Sequence, residues 1–421
     1  MNVNYLYENR RNFYLTPSGS ARGSTYLCLA LGAIGVGLGF YRGEGARVWG
    51  SYLFNLFYFF SLALGGMAFA AMQDVIGAVW ARPIRRLHEA FGAFIPVSIV
   101  FFLIFLAAVA LGVGGAGDVY SWIKDPGKVA HYFGKGFWLR KNFMIGRDLV
   151  ALGLVCTLVM WQLKQFLRRD MAFVEGNRDE AVRLGEEARA KTRYWSAPIL
   201  IVYAFGFSLL GFDLLMSLDP LWMSTLWGGW LFAIMMQTLM ALLLLVMFSL
   251  KPSAIGSLIG RQQFHDVGKM MHGFTIFFAY LTFAHVLTYW YGNMPEETEY
   301  FIRRLSGPWL WIVLGAPILS FAIPLYVMIF KAAKWTAAVA VPIAVIILAA
   351  QWLAYLLVVM PEIVPVGAAA TTKWNGPWLE FMVFLGFLGL FLQTYFWFGR
   401  RFPMVGLADP LLPAALHGDH H

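Results

Sequence analysis

The sequence predicts an all-α integral membrane protein with ten transmembrane helices, and three observations carry that prediction. The 421 residues are 60% hydrophobic and 17% aromatic with only 13% charged, far too apolar for a water-soluble globule. Ten apolar runs each suffice, at about 1.5 Å rise per residue, to cross about 30 Å of hydrocarbon. The basic residues, which give a formal charge of +9, fall mainly in the short connections between those runs. Membrane topology explains them more simply than a nucleic-acid partner does, and nucleic acid is set aside.

In order, the runs lie at roughly 24–41, 50–80, 91–113, 143–166, 195–218, 226–250, 270–293, 308–330, 335–360 and 377–399. Gly35, Gly37, Gly39, Pro96, Pro198, Pro317, Pro324 and Pro342 interrupt several of them, which a bilayer helix tolerates because packed neighbours satisfy the freed backbone groups. Residues 1–23 are polar and no small-residue cleavage pattern closes the next run, so that run is expected to stay as a helix. The amino end, every second connection and the tail hold about two-thirds of the lysines and arginines, which places both termini in the cytoplasm. The expected organisation is a cytoplasmic segment 1–23, a membrane domain 24–399 and a cytoplasmic tail 400–421. The connection 164–194 mixes eight basic residues with acids that include Glu175, Asp179, Glu180, Glu186 and Glu187, and reads as a solvated cytoplasmic hairpin. On the opposite side, the connection 114–142 carries Tyr120, Trp122, Tyr132 and Trp138 without a clear helix pattern. Its aromatics suit either the headgroup belt or a docking surface.

Ionisable groups inside spans are costly and usually face a bundle interior, a proton route or a ligand. Depth separates them into an outer tier of Arg147, Asp148, Asp213, Asp219 and His285 and an inner tier of Asp74, Lys269 and His272. Glu89, His265 and Asp266 are expected at the inner surface. Asp74, Asp148, Asp213, Asp219, Lys269, His272 and His285 are the proton-route candidates, because carboxylates and imidazoles at intermediate depth exchange protons when water joins them. Arg147, Asp213 and His285 are the quinone-binding candidates. The structural alternative has Arg147 paired with Asp213 or Asp219 and His285 as a hydrogen-bonded core residue. Thr282, His285 and Tyr289 share one stripe of the seventh run. The other histidines, His88, His131, His265, His417, His420 and His421, are expected in loops or the tail, which leaves the two in-span histidines without partners for bis-histidine haem. Cys28 and Cys156 both lie in apolar runs, so an iron-sulfur centre belongs to a partner, and no cluster has zinc-ligand spacing.

Three passages, Phe212 to Thr225 (FDLLMSLDPLWMST), His265 to Lys269 (HDVGK) and Trp290 to Thr298 (WYGNMPEET), resemble the polysulfide-reductase-like, or NrfD-type, membrane subunits of bacterial alternative complex III. The similarity extends over most of the chain, through Pro403 to Pro413. The resemblance implies ten spans arranged as paired four-helix bundles plus flanking helices, in the bacterial inner membrane. It implies a respiratory quinol oxidoreductase that passes electrons to a cytochrome c or a terminal oxidase, with menaquinol or ubiquinol as donor. The partners it implies are a homologous C-type membrane subunit, a periplasmic iron-sulfur subunit, multihaem and monohaem cytochrome c subunits, small membrane subunits and lipids. Haem c and the iron-sulfur clusters then belong to those partners, and this chain binds no cofactor of its own. C-type chains carry a His-Leu-Gly-Arg-like sequence at the outer end of the third span, where this chain reads Leu111 to Gly117 (LGVGGAG), so the resemblance is to the F-type. Asp213, Ser217, Asp219, Asp266 and Lys269 match motif positions, whereas Ala284-His285 stands where relatives often have Ser-Gln. The function expected is support of assembly together with proton translocation coupled to quinol oxidation in the complex. A quinol-binding NrfD-type or C-type subunit is the first alternative, and a secondary transporter with Asp213 and His285 as coupling sites the second.

Overall fold

The computed structural model describes residues 3–130, 134–364 and 374–417, so that His131, Tyr132, His420 and His421 lie outside the described residues. Among the described residues ten helices are long and apolar enough to span a membrane: α1 (Gly19–Tyr41), α2 (Gly45–Val75), α3 (Arg85–Leu111), α4 (Lys141–Val174), α5 (Arg178–Leu218), α6 (Trp227–Leu250), α7 (Arg261–Gly292), α8 (Trp309–Met328), α9 (Ala337–Ile363) and α10 (Trp378–Arg401). Helices and their connections make up the described residues, with no strand among them. The chain is an all-α, multi-pass membrane protein.

Helices α2–α5 form one four-helix bundle and α6–α9 a second, with α1 and α10 paired outside and resting on α2. The hub is α2, whose apolar window is wholly buried because it packs on α3, α5, α6, α9 and α10 at once. Its phenylalanines therefore serve both bundles: Phe57 meets Phe207 of α5 and Tyr355 of α9. The α1·α10 pair closes on small residues. A Cβ on Gly32 would stand 2.4 Å from the Cα of Gly386, a backbone approach that only glycine permits.

Most helices extend past one end of their apolar run, since hydropathy registers hydrocarbon contact and not the end of the hydrogen-bonded ladder, whereas α2 stops at Val75, short of the expected 80, and α8 lies within its run. The largest extension is the α4–α5 hairpin. Its helices run on to Val174 and from Arg178, joined by a tight turn with Gly176 at φ 93°, and at 34 and 41 residues both exceed a bilayer's thickness. Trp161 of α4 meets Trp195 of α5 edge-on across the hairpin. The amino-terminal segment braces the projection: Tyr7 packs on Phe173, and the Arg10 Nε donates to the Val174 carbonyl at 3.1 Å. At the other end of the first bundle, the connection between α3 and α4 is a series of single helical turns rather than an unstructured loop. Tyr120 and Trp122 are buried there, donating to the Leu214 and Ser217 carbonyls at 3.0 Å each. They plug the bundle, which corrects their assignment to a headgroup belt or docking surface.

α8 bends between Pro317 and Pro324 through a π-turn at Ile318–Ala322. Pro324 has no N–H, so the Ser320 carbonyl four residues earlier lacks its helical donor. Gln237 of α6 supplies one at 2.8 Å.

Candidate functional site

The outer site of the first bundle lies where α4 begins and α5 ends. Asp213, wholly buried in the last turn of α5, accepts from the Arg147 Nε at 2.7 Å and from the Trp138 Nε1 at 3.0 Å, one donor on each carboxylate oxygen. The Arg147 guanidinium lies over the Trp138 ring at 3.7 Å, so a residue of the α3–α4 connection covers the pair from above. Asp148, next to Arg147 on α4, is also wholly buried, and no N–H or hydroxyl among the described residues donates to its oxygens, its close polar neighbour being the Asp213 carboxyl. The charges acting on it are those of Asp213 and Arg147. Two acids thus lie together beside a guanidinium that ion-pairs with Asp213, an arrangement in which a proton can reside on the acid pair and be exchanged. Of the two ion pairs open to Arg147, the structure selects Asp213. Ser217 closes the end of α5 by donating to the Asp213 carbonyl at 2.5 Å.

Asp219 belongs to a different group. Its Oδ1 accepts from the backbone N–H of Leu221 at 3.0 Å, and its Oδ2 lies 3.8 Å from Arg303. Arg303 and Arg304 both pair with the buried Glu362 of α9, Arg304 at 2.9 Å. Beside them Tyr300 stacks on Trp222 with ring centres 4.0 Å apart, and burial pushes its hydroxyl up to about 12.

His285 sits in the second bundle within a cage of tryptophans, its ring 6.2 to 6.5 Å from those of Trp222, Trp227 and Trp230. Its Nε2 has no partner among the described residues. Thr282 and Tyr289 of the same stripe face α6 and the connection before it, Thr282 accepting from the Trp230 Nε1 at 2.9 Å and Tyr289 donating to the Met223 carbonyl. No hydrogen bond or ion pair among the described residues joins His285 to Arg147 or Asp213. The three quinone-binding candidates therefore divide into Arg147 with Asp213 on one side and His285 on the other.

At the inner end of the first bundle four arginines and four acids form one buried, electrically balanced network. Asp74 accepts both Nη atoms of Arg85 at 2.5 and 2.7 Å, and Arg85 continues to Glu89 at 2.7 Å. Arg86 bridges Glu89 at 3.0 Å and pairs with Asp170 of α4. Arg169 pairs at 2.9 Å with Asp409 of the tail, and Arg82 lies 3.3 Å from both Asp74 and Asp409. Burial alone would raise the Asp409 carboxyl, but Arg169, Arg82 and Arg85 outweigh it and hold that group below the usual carboxylate range. Glu89 and His88, expected at the surface and in a loop, are instead buried at the start of α3. The short polar run before the apolar stretch resembles a connection in sequence, and it folds under α2 because Gly66 admits the His88 carbonyl. His88 Nδ1 donates to the Gly66 carbonyl at 2.7 Å and Nε2 accepts from Gln73 at 3.1 Å, so both ring nitrogens are engaged.

Lys269 and His272 lie at the inner end of α7, separate from that network. Lys269 pairs with Asp266 at 3.2 Å and His272 is half-buried with Nδ1 unpartnered among the described residues. His265, expected in a loop, is in α7 itself, 3.7 Å from Asp266. Nearby, burial and the Lys269 charge hold the Lys334 ammonium down.

The outer acid pair and the inner network share the buried face of α4, on which Asp148 and Asp170 are about 33 Å apart along the axis. Between them Gln162 on α4 and Ser196 on α5 are wholly buried and unpartnered among the described residues. Sequence reasoning passed over several polar groups. The bidentate Arg47–Glu380 pair, at 2.8 and 2.9 Å, joins α2 to α10, and Gln351 of α9 donates to Gln237 of α6. A polar residue deep in an apolar run was the signal for the glutamines, whereas nothing near Asp409 in the sequence indicates its partners. No protein-family model and no curated protein matches this chain.

Proposed function

We propose that this chain is the F-type, NrfD-like membrane subunit of a bacterial alternative complex III, where it supports assembly and carries protons in step with quinol oxidation. In this reading it lies in the cytoplasmic membrane with both termini inside. The C-type subunit, the periplasmic iron-sulfur protein and the cytochrome c subunits beside it hold the redox groups, and a terminal oxidase or cytochrome c receives the electrons. The observation that carries the proposal is Asp148 directly beside Asp213, whose charge is matched by Arg147. A buried carboxyl with no donor of its own next to an ion-paired carboxylate is a group that holds a proton and can release it. Arg147 and Trp138 orient Asp213 and connect the pair to the α3–α4 connection, while Gln162 and Ser196 offer polar stations toward the inner network. The two-bundle arrangement with an outside pair agrees with the architecture that the motif resemblance implies.

The experiment measures protons moved per electron in the reconstituted complex. Asp213→Asn and Asp148→Asn should each lower that ratio by about half or more while the complex assembles and oxidises quinol. An unchanged ratio in both variants removes the pair from the route. A chain that purifies from native membranes without haem and iron-sulfur partners overturns the assignment to the complex, and a quinone head group bound beside Arg147 and Asp213 moves it to the quinol-binding class.

A further inference from the structure

Helices α4 and α5 leave a groove on the outside of the first bundle that encloses about 610 Å³. Phe143, Val150, Leu154, Ile201 and Phe205 form its walls, and Ala151 with Gly206 keeps its floor low. No other element among the described residues covers it: Val150 is 70% and Phe205 76% exposed. From Asn142 to Val155 it runs 13 residues of α4, about 20 Å, which is half of a 40–45 Å bilayer including its headgroups. The groove therefore reaches from the headgroup level to the bilayer midplane.

Two cations directly precede Asn142, the first residue of the groove lining. Arg140 is exposed with no carboxylate partner among the described residues, its guanidinium 5.4 Å from the Phe137 ring centre. Lys141 makes one hydrogen bond, 3.0 Å to the Ala110 carbonyl, and no ion pair among the described residues. α4 starts between them without a side-chain cap, so the positive end of a 34-residue helix adds to the two charges. Arg147, deeper in the groove, is already matched by Asp213.

We propose that this groove binds one anionic phospholipid of the leaflet at the α4 amino-terminal face, with an acyl chain along α4 and α5 and the phosphate on Arg140, Lys141 and the first N–H groups of α4. Charge complementarity at headgroup depth selects the occupant: a neutral apolar molecule would use the walls and leave both cations unmatched. The phosphate contacts are separate from the proton route, because Arg140 and Lys141 are not among the partners of Asp148 or Asp213, while Arg147 on the groove wall is the one lining residue that pairs with Asp213.

The test uses the full-length chain in nonionic detergent, mixed with phosphatidylglycerol or phosphatidylcholine and examined by native mass spectrometry. One phosphatidylglycerol should be retained in preference to phosphatidylcholine by about tenfold or more. Arg140→Ser with Lys141→Ser should abolish the preference. Gly146→Leu should lower retention of either lipid about tenfold, and it should fold because a Cβ at Gly146 meets no atom within 4 Å. Equal retention of the two lipids by the unaltered chain, or retention unaffected by Gly146→Leu, overturns the proposal. So does a photoreactive side chain at Leu154 that captures a polypeptide or a quinone in native membranes instead of a phospholipid.

Discussion

Asp409 lies in the tail, 240 residues from Arg169 and 327 from Arg82, yet it closes the inner network. Its Oδ1 also accepts from the Leu411 backbone N–H at 3.0 Å, so the carboxylate ties the tail both to itself and to the bundle. Because the folded group titrates below its unfolded value near 4, its contribution is fully present above that value and is lost as pH falls through the lower, folded one. Amide exchange at Leu411 and Leu412 should thus stay slow down to about pH 4 and quicken only in stronger acid. Asp409→Asn, which leaves the arginines one charge in excess, should free the tail at neutral pH at a cost of about 3–5 kcal/mol. Slow exchange in that variant would show that apolar contacts alone hold the tail. The buried acids and the imidazole inside apolar runs, Asp148, Asp213 and His285, were legible in the sequence, whereas the arginines and acids at the helix ends, such as Arg86, Asp170 and Asp409, resembled solvated connections. The pairing was not legible either, because it is set by which helix ends meet. Arg147 had two acids within reach, and only the fold assigns it to Asp213 and Asp219 to Arg303.

Within single helices, apolar length identified all ten spans but located their ends poorly. α4 and α7 continue through charged turns that no hydropathy window counts as membrane, and Arg85 to Glu89 begins a helix although its composition resembles a connection. The bend of α8 illustrates a feature whose cause is visible in sequence and whose remedy is not. Pro324 predicts an unmatched carbonyl at Ser320, and the donor comes from Gln237, 83 residues earlier, which also donates to Thr275 at 2.9 Å. Gln237→Leu should therefore cost about 1–3 kcal/mol, the penalty of a buried acceptor left bare. Pro324→Ala restores an N–H within α8, so in the double variant most of that loss should disappear. Thermal unfolding of the four forms in detergent measures the coupling. Strict additivity would mean that Ser320 finds its donor elsewhere and that the clamp between α6 and α8 is incidental.

Across the whole molecule, the two ends of the helices differ in what they expose. One end carries both described termini and the α4–α5 projection, where Lys164, Arg168, Arg189 and Arg193 are exposed with no ion pair among the described residues. The other end carries the short helix Pro295–Arg304, whose Glu296 and Glu299 are exposed, and the aromatic plug of the first bundle. Loop charge orients a multi-span protein because basic loops are held on the cytoplasmic side during insertion. The end with the hairpin should accordingly face the cytoplasm, leaving the Asp148–Asp213 pair near the opposite surface. Single cysteines placed at Glu186, on the exposed side of the hairpin, and at Glu299 report the two ends separately. In sealed right-side-out vesicles a membrane-impermeant maleimide should label Glu299→Cys and spare Glu186→Cys, with the pattern reversed in inverted vesicles. Native Cys156 is buried and Cys28 half-buried, so a background run on the unaltered chain isolates the introduced thiols. Labelling of both positions from one side would break the ten-crossing topology, since an odd number of crossings separates them. Labelling with the sides exchanged would preserve the fold but turn the outer acid pair toward the cytoplasm, leaving it unable to release protons to the opposite side.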